Sequence, residues 1–252
     1  MTALDAIVLA GGPPDAVAAL ESGAPNKAFV RVGGVPLVTR TIQGLRASSR
    51  IDRIVAVAPP SAAAHPALAF ASEVRGDGPR ILESLRSGLL GFTEDVLVVV
   101  AAADLPALDA RAVDEFVDGA LARDLDVAYA CLERRYHDAT YPEFPHTWAR
   151  LREGRFCGGG LVALRPGVLP KLGTVINALG DARKSPLRLA SLFGWDVLAQ
   201  FALGRLAIPT AEARASRLIG ARVGAIRCTQ PQIALNVDRV DDVRRANLRF
   251  VS

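Results

Sequence analysis

Cysteine, histidine and long uncharged runs are all scarce in this chain, and each scarcity removes a class of protein. The three cysteines, Cys131, Cys157 and Cys228, are odd in number, widely spaced and without a Cys-x-x-Cys pair. Neither a disulfide framework nor a zinc site is indicated. The three histidines, His65, His137 and His146, show no triad arrangement. No run of Lys and Arg interleaved with aromatics occurs, which argues against nucleic acid as a partner. The amino terminus lacks a basic region followed by an apolar core and a small-residue cleavage site. No export signal is expected, and a reducing cytoplasm is the expected location. An unusually apolar stretch, Lys184 to Pro209, is interrupted by Arg188, Asp196 and Gln200, so no integral membrane span is expected. Neither a linker rich in Gly, Ser or Pro nor an internal repeat divides the chain.

What remains is 252 residues, half of them hydrophobic, with a net charge of +4. A mildly basic surface suits anionic small substrates. Asp5 to Ala10 reads as a short apolar strand running into Gly11-Gly12, and the loop beyond it closes at Pro25-Asn26-Lys27-Ala28-Phe29. Two glycines after a buried strand place bare backbone N–H groups at the carboxyl edge of a sheet, where anionic ligands sit. Lys27 adds a mobile positive charge suited to a phosphate. A tight turn without a ligand is the alternative for the glycine pair alone. There is no Gly-x-Gly-x-x-Gly and no Gly-Lys-Ser/Thr, so neither the dinucleotide fingerprint nor the P-loop applies.

Strand and helix signals then alternate. Phe29 to Val32 reads as a strand before a Gly33-Gly34 turn, and Pro36 opens a helix to Ala47. Arg53 to Val57 is a buried strand, Glu73 to Arg75 a short one, and a helix runs through Leu90. Asp95 to Ala101 is the most apolar strand. Val113, Phe116, Val117, Ala120 and Leu121 recur at helical spacing behind an Asp109 N-cap. Val127 to Cys131 is a further strand. Continuous apolar strands alternating with amphipathic helices predict a three-layer α/β/α, Rossmann-like architecture with a mostly parallel sheet. One domain over 1–252 is expected, with a helical insertion at about 171–222.

The strand–Gly11-Gly12–Lys27 opening, with its second turn before a helix, resembles that of the MobA-like nucleotidyltransferases. Ala103-Asp104-Leu105-Pro106, at the end of the central strand, matches that family's metal-binding Asp motif. Asn236-Val237-Asp238, read here as the end of a strand from Gln232, matches the tripeptide that closes its fold. The resemblance implies Asp104 and Asp238 as Mg²⁺ ligands; from the residues alone, Asp104 is equally a cap of the following turn. Asp241 and Asp242 fit the first turn of a helix over Val240 to Leu248. The resemblance further implies nucleotide binding by Leu9, Ala10, Gly11, Gly12 and Lys27, with Lys27, Asp104 and Asp238 as the catalytic set. Gly78 and Ser84 would meet the base; an ordinary helix start is the alternative, and the family's arginine before that serine is absent, Ile81 standing in its place. Phe156 to Leu161 resembles a Gly-Gly-Asn turn lining the acceptor pocket, with Gly160 in place of Asn. Gly158, Gly159 and Arg155 would then meet the acceptor, or Arg150, Arg152 and Arg155 belong to a solvated hairpin.

The implied activity is Mg²⁺-dependent transfer of a nucleoside monophosphate from an NTP to a phosphorylated small-molecule acceptor (sugar, isoprenoid or other alcohol, or cofactor phosphate) with release of pyrophosphate. The usual glycine-loop arginine is missing: residues 13–24 hold no basic residue and two acids. That loss costs on the order of 1.5–3 kcal/mol in a phosphate contact unless Arg31 or another arginine substitutes. The alternatives are a catalytically degenerate nucleotide-binding or regulatory relative, and a glycosyltransferase with Asp124-Leu125-Asp126 as its metal motif, although this motif precedes a strand. The segment 184–209 is expected to pack on the core or on a second copy in a homodimer, or to form a surface for a lipid-like acceptor or a membrane face.

Overall fold

A computed structural model describes residues 2–182 and 192–250. Ten strands and eight α-helices are placed among them. The strands are β1 (Leu4–Leu9), β2 (Arg31–Val32), β3 (Val35–Pro36), β4 (Ile51–Ala58), β5 (Glu73–Gly76), β6 (Val98–Ala102), β7 (Val127–Glu133), β8 (Ala149–Leu151), β9 (Gly154–Leu164) and β10 (Val223–Cys228). The helices are α1 (Leu37–Arg46), α2 (Ile81–Leu89), α3 (Ala110–Ala122), α4 (Arg134–Thr140), α5 (Leu169–Ala182), α6 (Trp195–Ala202), α7 (Ile208–Ile219) and α8 (Val240–Arg249).

The main sheet runs β10-β7-β9-β6-β1-β4-β5, with β8 added to β9. β1 is parallel to β4 and β6, β4 to β5, and β7 to β10; β9 alone is antiparallel to both its large neighbours, β6 and β7. Period-two alternation feeds two cores. Ala6 and Val8 pack in one with Val38 and Ile42 of α1 and Val113 and Phe116 of α3, while Ile7 turns to the other with Leu82 and Leu85 of α2 and Leu169 of α5. Val99 and Ala101 of β6 likewise face the first core, and Val98 and Val100 the second. A sheet buried on both faces by helices is the predicted three-layer arrangement. Asp109 caps α3 as predicted, accepting a 2.9 Å hydrogen bond from Ala112 N.

Three local readings need correction. Residues 232–238 are not a strand: a 3₁₀ turn, Pro231–Ala234, leads into extended chain. Its backbone pairs with the loop after β6, Val237 N donating to the Asp104 carbonyl at 3.1 Å. Leu235 and Val237, whose alternation mimics a strand, fill a third core with Val32, Leu37, Tyr141 and Val243. Phe29 belongs to a 3₁₀ turn, Lys27–Phe29, because Asn26 caps that turn through Ala28 N. Phe156 to Leu161 is no turn but part of the long β9, whose pairing with β7 shifts register between Tyr129 and Cys131. Its glycines permit close approach: a Cβ on Gly158 would lie 1.8 Å from the Tyr129 hydroxyl, and one on Gly159 2.8 Å from Ala130.

Helices α5 to α7 span most of residues 169–219, between β9 and β10. Of the apolar segment 184–209, residues 184–191 lie outside the described ones. Beyond them, Val197, Leu206 and Ile208 are buried, whereas Trp195, Phe201 and Leu203 are exposed. None of the described helices is long and apolar enough to cross a membrane.

Candidate active site

Every parallel strand of the central sheet delivers its following loop to one edge, and Gly11, Gly12, Lys27, Asp104 and Asp238 gather there. β1 ends at Leu9 and the chain turns through Gly12, whose φ of 110° suits glycine. Asn26, almost wholly buried, ties this loop to the lysine turn. Its side-chain amide donates to the carbonyls of Ala10 (2.9 Å) and Gly12 (3.2 Å), and its oxygen accepts from Ala28 N (2.9 Å). One side chain thus fixes both the glycine loop and the start of the turn that carries Lys27.

Asp104 follows β6 and is held from three sides. Val237 N meets its carbonyl, the Thr41 hydroxyl accepts from Leu105 N at 3.2 Å, and Asn236 Nδ2 approaches its carboxylate at 3.3 Å. Asp238 is set by the start of α8, where the buried Asp242 carboxylate accepts from the backbone N–H groups of Asp238 (3.2 Å) and Arg239 (2.9 Å). Asp241 and Asp242 occupy the first helical turn as predicted.

Lys27 closes the centre. Its Nζ lies 2.5 Å from Asp104 Oδ2 and 2.6 Å from Asp238 Oδ1. Burial by itself would lower the pKa of this ammonium. The Asp104 carboxylate, and after it Asp238, overcome that and hold the pKa above the ordinary lysine value. Two carboxylates far apart in the sequence therefore share one cation position. Hard oxygen donors converging in this way fit Mg²⁺, which takes one or two carboxylates together with substrate phosphates. No group of three or more His, Cys, Asp or Glu suited to a metal occurs among the described residues.

The remaining predicted residues divide. Leu9, Gly11, Lys27, Asp104 and Gly159 line one cavity of about 580 Å³. Gly78 and Ser84 meet each other, Gly78 N donating to Ser84 Oγ at 3.1 Å, so that serine secures the loop before α2. Gly158 lines a separate cavity of about 280 Å³ beneath α7. Arg155 is exposed on the β8–β9 hairpin, opposite Arg150, and lines neither cavity. Arg31, on β2, is paired with Glu21 of the glycine loop and does not line the larger cavity. Asp77, which the sequence did not single out, accepts a 2.9 Å hydrogen bond from Gly12 N. A carboxylate thus occupies an N–H of the glycine loop. Asp124 and Asp126 precede β7 and grip Arg222 and Arg165.

Comparison with known proteins shows the family and the fold. The MobA-like NTP transferase domain matches residues 6–218. The chain belongs to the MobA-like NTP transferase family. It is accordingly a nucleotidyltransferase by family. A solved structure of a hypothetical transferase from Thermus thermophilus is 33% identical, covers 96% of this chain and 100% of its own, and superposes with a TM-score of 0.84. Two more distant structures share the fold. One is 4-diphosphocytidyl-2C-methyl-D-erythritol synthase from Anaerococcus prevotii, at 14% identity and TM-score 0.59, covering 100% of this chain and 99% of that one. The other is CMP:2-keto-3-deoxy-manno-octonic acid synthetase complexed with CTP, at 15% identity and TM-score 0.61, covering 99% and 98%.

Proposed function

We propose that this MobA-like transferase moves a nucleoside monophosphate from an NTP to a phosphorylated small-molecule acceptor, with Mg²⁺ and release of pyrophosphate. The observation that carries this reading is the Lys27 ammonium held between Asp104 and Asp238 beside the glycine loop. An acceptor phosphate oxygen attacks the α-phosphorus, and pyrophosphate leaves in line. Such transfers depend on positioning and charge neutralisation rather than on a protein base. The histidines fit that economy: His65 caps a 3₁₀ turn, His137 is buried against Trp148, and no histidine lines the cavity. Asp104 and Asp238 would hold Mg²⁺, which neutralises phosphate charge when bound. Lys27 balances charge on the polyphosphate, and the glycine loop presents backbone amides to it.

Asp77 on Gly12 N and the arginine-free loop favour a second reading, a relative that binds nucleotide without turnover. Thermal unfolding with each of the four ribonucleoside triphosphates, with and without Mg²⁺, together with an assay of pyrophosphate release, tests both. A saturating ligand at 100 times its Kd adds about 2.7 kcal/mol, several degrees for a chain of this size. A Mg²⁺-dependent shift for one base, absent in Asp104→Ala, is expected. No shift with any triphosphate overturns the transferase reading, and a shift without pyrophosphate release on any acceptor favours the second.

A further inference from the structure

The cavity beside Lys27 continues well beyond the polar cluster. From Gly11, Lys27, Asp104 and Asn236 at the sheet edge it descends between the sheet and helices α2 and α5. Its floor is Val100, Val162 and Leu164 from the adjacent strands β6 and β9, with Val127 beyond them on β7. Its walls are Leu82 and Leu85 of α2 and Leu172 and Ile176 of α5. The two helices meet at Gly173, where a Cβ would lie 2.9 Å from Leu82. Ile81, 65% exposed, and Tyr129, 44% exposed, place two large side chains on its rim.

Among the described residues, the polar side chains that line it lie at the sheet edge or, for Tyr129, on the exposed rim. Asn26 is spent on the Ala10 and Gly12 carbonyls and Ala28 N, and Asn236 on Asp104. Backbone groups of β6, β7 and β9 are paired within the sheet. A hydroxyl-rich body seated here would exchange water for aliphatic carbon at most of its oxygens, and an unpaired buried hydroxyl is unfavourable. A hydrocarbon body gains from the same surface. The volume falls within the range of ligand pockets, and a cavity that is charged at one end and aliphatic along the rest of its lining suits a ligand with one anionic end.

We propose that the acceptor is an aliphatic phosphomonoester, its phosphate at the Lys27–Asp104 end and its chain in the cavity between α2, α5 and the sheet. This rests on the transferase reading above and names its acceptor class. In the step, a P–O bond forms between an acceptor phosphate oxygen and the α-phosphorus, and the bond from the α-phosphorus to the oxygen bridging the β-phosphorus breaks. Pyrophosphate departs with the electron pair, leaving a nucleoside diphosphate alkyl ester. No oxidant or reductant enters.

The test uses displacement of 1-anilinonaphthalene-8-sulfonate by methyl, butyl, hexyl and octyl phosphate, by glucose 1-phosphate and by octanol, all without nucleotide. Thermal shifts with Mg²⁺ and the triphosphates run in parallel. Each buried methylene is expected to tighten binding about two- to fourfold, until the cavity is full, with octyl phosphate ahead of both octanol and glucose 1-phosphate. Ile176→Trp should cost octyl phosphate at least tenfold more than methyl phosphate. If that variant fails to fold, Leu172→Phe serves the same purpose. Affinity independent of chain length, or glucose 1-phosphate as tight as octyl phosphate, overturns the assignment even where a triphosphate binds and the transferase reading stands. Octanol as tight as octyl phosphate removes the phosphate end. Chain-length dependence with no triphosphate shift sinks the transferase reading while the cavity keeps its aliphatic phosphate ligand.

Discussion

Two pairs of aspartates in this molecule each close on a cation, and they do so at opposite edges of one sheet. Asp104 and Asp238 meet Lys27 beyond the carboxyl ends of the parallel strands, whereas Asp124 and Asp126 meet Arg222 and Arg165 before the amino end of β7. In the first pair the Asp104 carboxylate is 7% exposed and its cation is a lysine, a point charge on a flexible stem. In the second, the Arg222 guanidinium forks onto both carboxylates, 2.5 Å from Asp124 and 2.9 Å from Asp126. That fork adds to backbone bonds that clip the start of β10 to the start of β7, Arg222 N donating to Asp126 Oδ2 and Asp126 N to the Arg222 carbonyl. A fork of this kind fixes geometry; a lysine between two carboxylates leaves a position that a divalent ion can share. Carboxylates two residues apart thus form a staple, while the pair suited to chemistry comes from distant parts of the chain.

The sharpest way to break this comparison is to neutralise one acid of each pair. Asp104→Asn is expected to reduce pyrophosphate release on the order of 10²–10³-fold, the usual range for removing one preorganised electrostatic partner. Asp124→Asn should stay within about twofold of wild type, since it lies at the other edge of the sheet. Equal losses in both would abolish the distinction and return Asp124-Leu125-Asp126 to consideration as a metal motif.

Lys27→Met sharpens it on the stability side. Without Mg²⁺ the variant leaves a buried Asp104 charge facing Asp238 uncompensated, at a cost of about 1–3 kcal/mol in urea unfolding at pH 7. Added Mg²⁺ should return part of that cost in the variant. The raised Lys27 pKa sets the pH window. The stabilisation is fully present below the unfolded lysine value of about 10.4. It declines only as pH rises through the higher folded value, so the gap between wild type and Lys27→Met should be constant from pH 7 to 10. Asn26→Ala probes the neutral frame around the same lysine. Its three lost hydrogen bonds leave the Ala10 carbonyl unsatisfied in the core, an expected loss of about 1–2 kcal/mol.

Much of the carboxyl-edge site was legible because its chemistry is local: a buried strand, two glycines, a returning lysine, and an Asp after the most apolar strand. The layer order followed from alternation, as Ala6 and Val8 against Ile7 illustrate. What the sequence hid depends on contacts between distant segments. Leu235 and Val237 alternate like a strand, yet their backbone pairs with the Asp104 loop, which no local pattern reveals. Asn26 is tied to Ala10, Gly12 and Ala28, and the signal that could have found it is Asn as a cap before a short helical turn. Asp77 gave no hint that it would sit on Gly12, because the two are joined only when β5 returns beside β4. Arg155 shared the hairpin's cation density but faces solvent.

The smallest expected effect is that of Arg222→Ala, and its value lies in its sign with pH. Asp124 and Asp126 are both held below the ordinary carboxylate pKa, first by the hydrogen bond from Arg222. Depressed folded values mean that the pair's stabilising contribution is present above the unfolded value of about 3.9 and disappears as pH falls through the folded ones. Any difference between wild type and Arg222→Ala in urea midpoint should therefore be largest near neutrality and close below about pH 3. At neutrality it should also shrink as salt rises, since these side chains are largely solvent-exposed and screened. The nucleotide- and Mg²⁺-dependent shift should be the same in both proteins. If Arg222→Ala instead weakens the Mg²⁺ response, the amino-edge pair is linked to the site, and the contrast between a fixed staple and an exchangeable cation position fails.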